Sequence, residues 1–124
     1  MGGGGGLCLD NDDVRAAAER FLRALVTRYR DHPGLGGYDI WNEGNYPGNV
    51  CYCPATLANF REWLRERYGD LRTLGEAWRR YSFATWEDVT PPRRLGPYPD
   101  TLDWLQFRID NAYAQLDWRI EIIR

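Results

Sequence analysis

Lysine is absent, and all 16 cationic side chains of this 124-residue chain are arginine. Coding bias is the first reading of that pattern, although arginine is also the better bidentate partner for carboxylates. A net charge of −2 leaves no basic patch, which removes nucleic acid from the expected partners. No apolar run approaches the roughly 20 residues that span a bilayer. The opening MGGGGGLCLDN lacks the charged start and apolar core of a signal peptide, so the expectations are no membrane partner and a cytoplasmic location. Cysteine is scarce and odd in number, at three. That count excludes a disulfide framework, and Cys51-Tyr52-Cys53 is too closely spaced for an ordinary bridge, leaving metal ligation or unbridged thiols. The single histidine, His32, lies in an Asp31-His32-Pro33-Gly34 turn, where capping or packing is its expected role.

Aromatic residues are plentiful: six Trp, eight Tyr and four Phe bury large areas, and core packing is the reading for most of them. Residues 1–7 form a glycine-rich start with nothing to pack and are expected to be disordered, leaving 8–124 as the structured part. From Asp12 the positions Val14, Ala18, Phe21, Leu22, Leu25 and Tyr29 recur at helical spacing, with Asn11 or Asp12 as cap. Pro54 suits the first turn of a second helix with Leu57, Phe60, Leu64 and Tyr68 inward, ending at Gly69. Asp70 caps a third, striped by Leu71, Leu74, Trp78 and Tyr81. Residues 82–99 read as loop with one turn at Thr85-Trp86-Glu87-Asp88. A long helix then opens at Asp100 with Leu102, Leu105, Ile109, Ala112, Leu116, Ile120 and Ile123 repeating.

Between the first two helices, Gly37 to Asn42 reads as a short strand that runs straight into turn-formers and sets Asn42 and Glu43 at its C-terminal end. One strand among helices is an anomaly, because an unpaired strand leaves its backbone groups unsatisfied. Helix, loop, strand, loop, helix is the repeating unit of an α/β barrel, which takes about 250 residues. The expected fold class is therefore α/β, a partial (β/α)8 TIM-barrel segment, helix-dominated with one strand. A glutamate at a barrel strand's end suits glycoside hydrolysis, since it can protonate the glycosidic oxygen while the preceding amide binds a sugar hydroxyl. Cys8, Cys51 and Cys53 are candidate thiolate ligands for a tetrahedral zinc, with unbridged thiols as the alternative.

Taken together, Tyr38-Asp39-Ile40-Trp41-Asn42-Glu43, then Cys51-Tyr52-Cys53-Pro54, then FREWLRERYGDLRTLGEAWRRYSFATWEDVTPPR resemble the middle of the catalytic barrel of glycoside hydrolase family 42, the β-galactosidase family. The resemblance runs from about Cys8 to Arg124. It implies that the strand ending at Glu43 is the fourth of the barrel, that Glu43 is the general acid/base of a retaining mechanism, and that Asn42 binds the sugar's 2-hydroxyl. It further implies a four-cysteine zinc cluster of which Cys8, Cys51 and Cys53 are present and the fourth position is Thr56, a poor zinc ligand. The family's active-site arginine falls at Gly5, and its nucleophilic glutamate belongs to a later strand, beyond Arg124.

The implied function is that of the acid/base-bearing segment of a β-galactosidase-like enzyme, acting on a β-galactoside only within a longer polypeptide and inactive as the isolated chain. No cofactor is required for that chemistry, and a structural zinc is the candidate metal. Two alternatives stand beside it: a non-catalytic helical module binding zinc or a protein partner, and a retaining glycosidase segment for another β-linked sugar. An unpaired strand edge and uncovered apolar helix faces also lead us to expect self-association as a homo-oligomer.

Overall fold

Asn11 opens the first helix by accepting the Val14 N–H at 3.1 Å, which satisfies one of the donors a helix start leaves unpaired. In the computed structural model, which describes residues 7–41, 51–94 and 96–124, helix α1 spans Asp12–Tyr29. Helix α2, Pro54–Tyr68, starts on Cys53 as cap with proline in its first turn, where the missing N–H costs nothing, and ends at Gly69 with φ 77°. Helix α3, Leu71–Trp78, is capped by the Asp70 carboxylate, which accepts the Thr73 N–H at 2.8 Å. A 3-10 turn, Trp86–Asp88, follows under a capping box set by Thr85, and helix α4 covers Pro99–Ile123.

The chain divides into two compact units, residues 1–51 with 112–124, and residues 52–111. The second unit holds the main aromatic core. Phe60 of α2 lies edge-on to Trp104 and tilted against Phe107, both of α4, with ring centroids 4.9 and 5.2 Å away, and stacks near Trp78 of α3. Leu64, Leu74 and Val89 are fully buried with it. Two carboxylates of α4 are also buried. Asp103 accepts hydrogen bonds from the Tyr68 hydroxyl and the Trp78 indole N–H, both at 2.7 Å, with Arg67 Nε 3.5 Å away. Asp100 takes the Arg80 guanidinium at 2.8 Å. Burial, followed by the Asp103 hydrogen bond, pushes the Tyr68 hydroxyl's pKa above its ordinary value. Arg80 returns this close to α3 because Gly75 has no Cβ: one built there would meet the Arg80 carbonyl oxygen at 2.7 Å.

The first unit is held differently. Its α1 buries no residue completely, and Phe21 is largely exposed. Side-chain heads do more of the joining: Arg15 lies over the Trp118 ring at 4.4 Å, Arg119 over Trp41 at 4.5 Å, and Gln115 donates to Asp10 at 3.0 Å.

Three expectations need correction. Residues 37–41 are not a strand, and no strand occurs among the described residues. A β-ladder needs a neighbouring backbone, and in its absence the Asp39 carboxylate captures the Trp41 N–H at 3.2 Å in a local turn. Tyr81 lies beyond the end of α3 and is exposed, because Arg79 takes a left-handed conformation (φ 55°) that stops the helix after Trp78. On α4, Leu102 and Ile109 are exposed at 68 % and 51 %, while Trp104 and Phe107 are buried. The larger rings take the inward face, because they remove more apolar surface from water than leucine or isoleucine. The glycine-rich start at residues 1–6 lies outside the described residues, and Leu7 beside it is exposed.

Replacing Asp103 by alanine leaves the buried Trp78 Nε1 donor and the half-buried Tyr68 hydroxyl without this acceptor, and should cost about 1–3 kcal/mol in urea unfolding. Asp103→Asn, which keeps one carbonyl, should cost less; equal stability of Asp103→Ala and the parent chain would refute the assignment.

A second expectation concerns pH. The Thr73 N–H holds the Asp70 carboxyl below its ordinary value of 3.8, and the Thr85 and Ala84 N–H groups do the same for Asp88. A carboxyl depressed in the folded state contributes stability above its unfolded pKa and loses it as pH falls through the folded one. The urea midpoint should therefore hold between pH 7 and 5 and fall below about pH 4. Asp70→Asn should shallow that fall, and an unchanged acid limb in the variant would count against it.

Candidate functional site

Three of the sequence-predicted residues, Cys8, Cys51 and Cys53, lie near one another. Cys53 stands at the cap of α2, and its Sγ accepts the Thr56 N–H at 3.5 Å with the Thr56 hydroxyl oxygen at 3.4 Å. Two residues earlier is Cys51, and Cys8 comes in from the turn before α1. That turn is closed by the Asn11 N–H donating to the Cys8 carbonyl at 3.1 Å.

The sulfurs of Cys8, Cys51 and Cys53 lie within 4.8 Å of one another, each residue is half-buried, and none is in a disulfide. Donors around a tetrahedral zinc with bonds of about 2.3 Å stand roughly 3.8 Å apart, so the three thiols fit a soft divalent ion with a small contraction. Thr56, where the resemblance puts the fourth cysteine of its cluster, contacts Cys53. Its residue is buried, with a relative exposure of 4 %. Its hydroxyl is placed to serve Cys53 as a hydrogen-bond partner instead of a metal.

The other predicted site residues, Asn42 and Glu43, lie outside the described residues. The stretch leading to them is described as far as Trp41, over whose ring the Arg119 guanidinium sits. His32 behaves as its turn predicts: its Nδ1 accepts the Gly34 N–H at 3.0 Å, closing the exit from α1. Glu62 and Glu76 pair with Arg65 and Arg72 at i,i+3 and i,i+4 spacing on exposed helix faces. Arg93 lies over the Tyr52 ring at 4.0 Å. A shallow cleft of about 250 Å³ is lined by Leu71, Arg72, Gly75, Arg80, Tyr81 and Phe83. It contains no carboxylate and therefore no acid/base pair.

Sequence reasoning missed Asp10. Its Oδ2 accepts from the Cys8 thiol at 3.8 Å while its Oδ1 takes the Gln115 amide. The available signal was its place two residues after a cysteine already singled out. It also missed Asp103, an acid sitting between apolar neighbours on α4 next to Trp104.

Known proteins supply the remaining context. The family model described as β-galactosidase, of glycoside hydrolase family 42, matches residues 1–124. β-Galactosidase BgaA of Planococcus sp. (strain 'SOS Orange') is 34 % identical over 117 residues, covering 84 % of this chain and 17 % of that protein. β-Galactosidase BgaA of Thermus sp. is 32 % identical over 132 residues, covering 100 % of this chain and 20 % of that protein. Among solved structures, the β-galactosidase of Bacillus circulans sp. alkalophilus superposes with a TM-score of 0.77 at 26 % identity, covering 99 % of this chain and 20 % of that one. The β-galactosidase of Rahnella sp. R3 gives 0.80 at 26 % identity, covering 99 % and 19 %. This chain thus spans about a fifth of the length of the relatives it matches, and within that span it belongs to the glycoside hydrolase family 42 β-galactosidase family.

Proposed function

We propose that this chain is the acid/base-bearing segment of a retaining β-galactosidase, part of a (β/α)8 barrel that a longer polypeptide completes. The observation that carries the reading is the family match along residues 1–124, supported by Tyr38-Asp39-Ile40-Trp41-Asn42-Glu43 with Cys51-Tyr52-Cys53-Pro54 following. On this reading Glu43 is the general acid/base and Asn42 binds the 2-hydroxyl of a β-galactoside.

The chemistry needs two carboxyl groups about 5 Å apart across the glycosidic bond. In the first step a carboxylate from another barrel strand attacks the anomeric carbon. The carbon–oxygen bond to the leaving group breaks, and the Glu43 carboxyl gives its proton to the departing oxygen. In the second step the Glu43 carboxylate takes a proton from water, whose oxygen attacks the same carbon and expels the nucleophile. Asn42 strengthens its hydrogen bond to the 2-hydroxyl as the ring gains oxocarbenium character. Half of this pair is assigned to the rest of the barrel, so the isolated chain is inactive on this reading.

A structural zinc is the second part of the proposal, held by Cys8, Cys51 and Cys53 and supported by their sulfurs lying within 4.8 Å of one another. Such a metal ties together segments distant in sequence and takes no part in glycoside cleavage.

The purified chain should not hydrolyse a chromogenic β-galactoside. Turnover that disappears in Glu43→Gln would overturn the claim of inactivity. Grafted in place of the matching segment of a whole β-galactosidase relative, residues 8–124 should support hydrolysis. Glu43→Ala in that graft should lower it by about 10²–10⁴-fold for poor leaving groups, with azide restoring part of the rate. Full activity of grafted Glu43→Ala would refute the acid/base role.

The thiols give a separate measurement. Under reducing conditions all three should react with a thiol-specific dye, and one equivalent of zinc should protect them together. Unchanged dye kinetics with zinc present would dismiss the metal.

A further inference from the structure

We propose that Arg119 is a positioning residue for the acid/base: its guanidinium clamps Trp41, and Trp41 leads directly into Asn42-Glu43. The inference rests on the reading of Glu43 as the general acid/base and adds a residue that holds the stretch entering it. Arg119 lies on the C-terminal part of α4 with its guanidinium carbon 4.5 Å from the centre of the Trp41 ring, and both residues are half-buried. That separation is inside the roughly 6 Å over which a cation is attracted to a ring face, and indole is the strongest of the aromatic partners. Partial burial strengthens the attraction, because less water competes for the guanidinium.

Trp41 is held at its main chain as well as at its ring. The Asp39 carboxylate accepts the Trp41 N–H at 3.2 Å, so a local turn sets the backbone while Arg119 sets the side chain. Neither contact suffices alone: the turn leaves the indole free to rotate, and the clamp on the ring leaves the backbone free. Together they fix a residue two steps before Glu43. Consecutive Cα atoms stand about 3.8 Å apart across a trans peptide, so a shift of Trp41 is passed on over a short lever. A displacement of about 1 Å at a reacting group can cost about a hundredfold in rate.

The clamp is mounted on a helix segment that is itself held. Trp118, next to Arg119 on α4, lies under the Arg15 guanidinium of α1 at 4.4 Å, and Gln115, about one turn before Arg119, donates to Asp10 at 3.0 Å. Gln115 and Arg119 share a helix face, so one stripe of α4 reaches both the turn before α1 and the stretch before Glu43. All of these groups belong to one compact unit, the one in which α1 buries no residue completely. With apolar burial modest there, directional contacts of this kind carry the placing of Trp41. Arginine suits the task, because its planar guanidinium stacks on an indole, whereas a lysine ammonium is a strongly hydrated point charge.

The test uses residues 8–124 grafted in place of the matching segment of a whole β-galactosidase relative. It compares kcat/KM for an alkyl β-galactoside, whose leaving group needs a proton, with that for a dinitrophenyl β-galactoside, whose leaving group does not. Arg119→Met and Trp41→Leu should each lower the alkyl value by about tenfold and the dinitrophenyl value by less than about twofold, whereas a role confined to stability would lower both alike. The double variant should lose no more than about twofold beyond either single one, because both changes remove the same contact. Arg119→Lys, which keeps the charge, should recover part of the alkyl rate. Equal loss on the two substrates, no loss on either, or losses that multiply in the double variant would overturn the role of Arg119 while Glu43→Ala keeps its own leaving-group contrast. A parent graft without activity, or a Glu43→Ala graft without that contrast, would overturn the acid/base reading and this inference together. Where circular dichroism shows that Arg119→Met does not fold, Arg119→Lys and Trp41→Phe carry the same comparison with a smaller expected contrast, and its absence there overturns the inference.

Discussion

A buried carboxylate is the joint on which the second unit turns. Asp103 reaches from α4 to the Tyr68 hydroxyl at the end of α2 and to the Trp78 indole at the end of α3. An anion in an apolar core is costly unless its oxygens are hydrogen-bonded, and here two donors at 2.7 Å meet the same oxygen while Arg67 lies near the other. The aromatic cluster of Phe60, Trp78, Trp104 and Phe107 supplies the bulk hydrophobic driving force. That force is non-directional, whereas the bonds to Asp103 select one arrangement of three helix ends. Asp100 repeats the device one turn earlier by taking Arg80, and the missing side chain of Gly75 lets that segment come close.

The first unit has a different economy. No side chain of α1 is completely buried, and polar or cationic heads over rings make its named contacts. Cys8 and Asp10 come from the turn that leads into α1, where the Cys8 thiol donates to the Asp10 carboxylate. Gln115 brings α4 to the same carboxylate.

Much of the helical order was legible in the sequence because its signals are local. Asn11, Pro54, Gly69 and Asp70 each act through backbone groups within a few residues, and each stands where its chemistry predicts. The strand expected at Gly37 to Asn42 was not legible in the same way. Its residue types suit a strand, but a ladder requires a partner backbone, and without one Asp39 offers the Trp41 N–H a nearer acceptor. The α4 stripe failed for a related reason: helical spacing permits several faces, and only packing against α2 and α3 shows that Trp104 and Phe107 take the inward one. Asn42 and Glu43 lie outside the described residues, and the roles proposed for them rest on the family pattern in the sequence.

By itself the sequence determined where most helices begin and that the chain carries the glycoside hydrolase family 42 pattern. These are properties of residue type and short spacing. What only tertiary structure decided was which distant groups meet: Cys8 with Cys51 and Cys53, Asp10 with Gln115, and Asp103 with Tyr68 and Trp78. Such pairings depend on how helices return along the chain. A carboxylate's role, whether solvated charge or buried joint, is set by the donors that return brings to it.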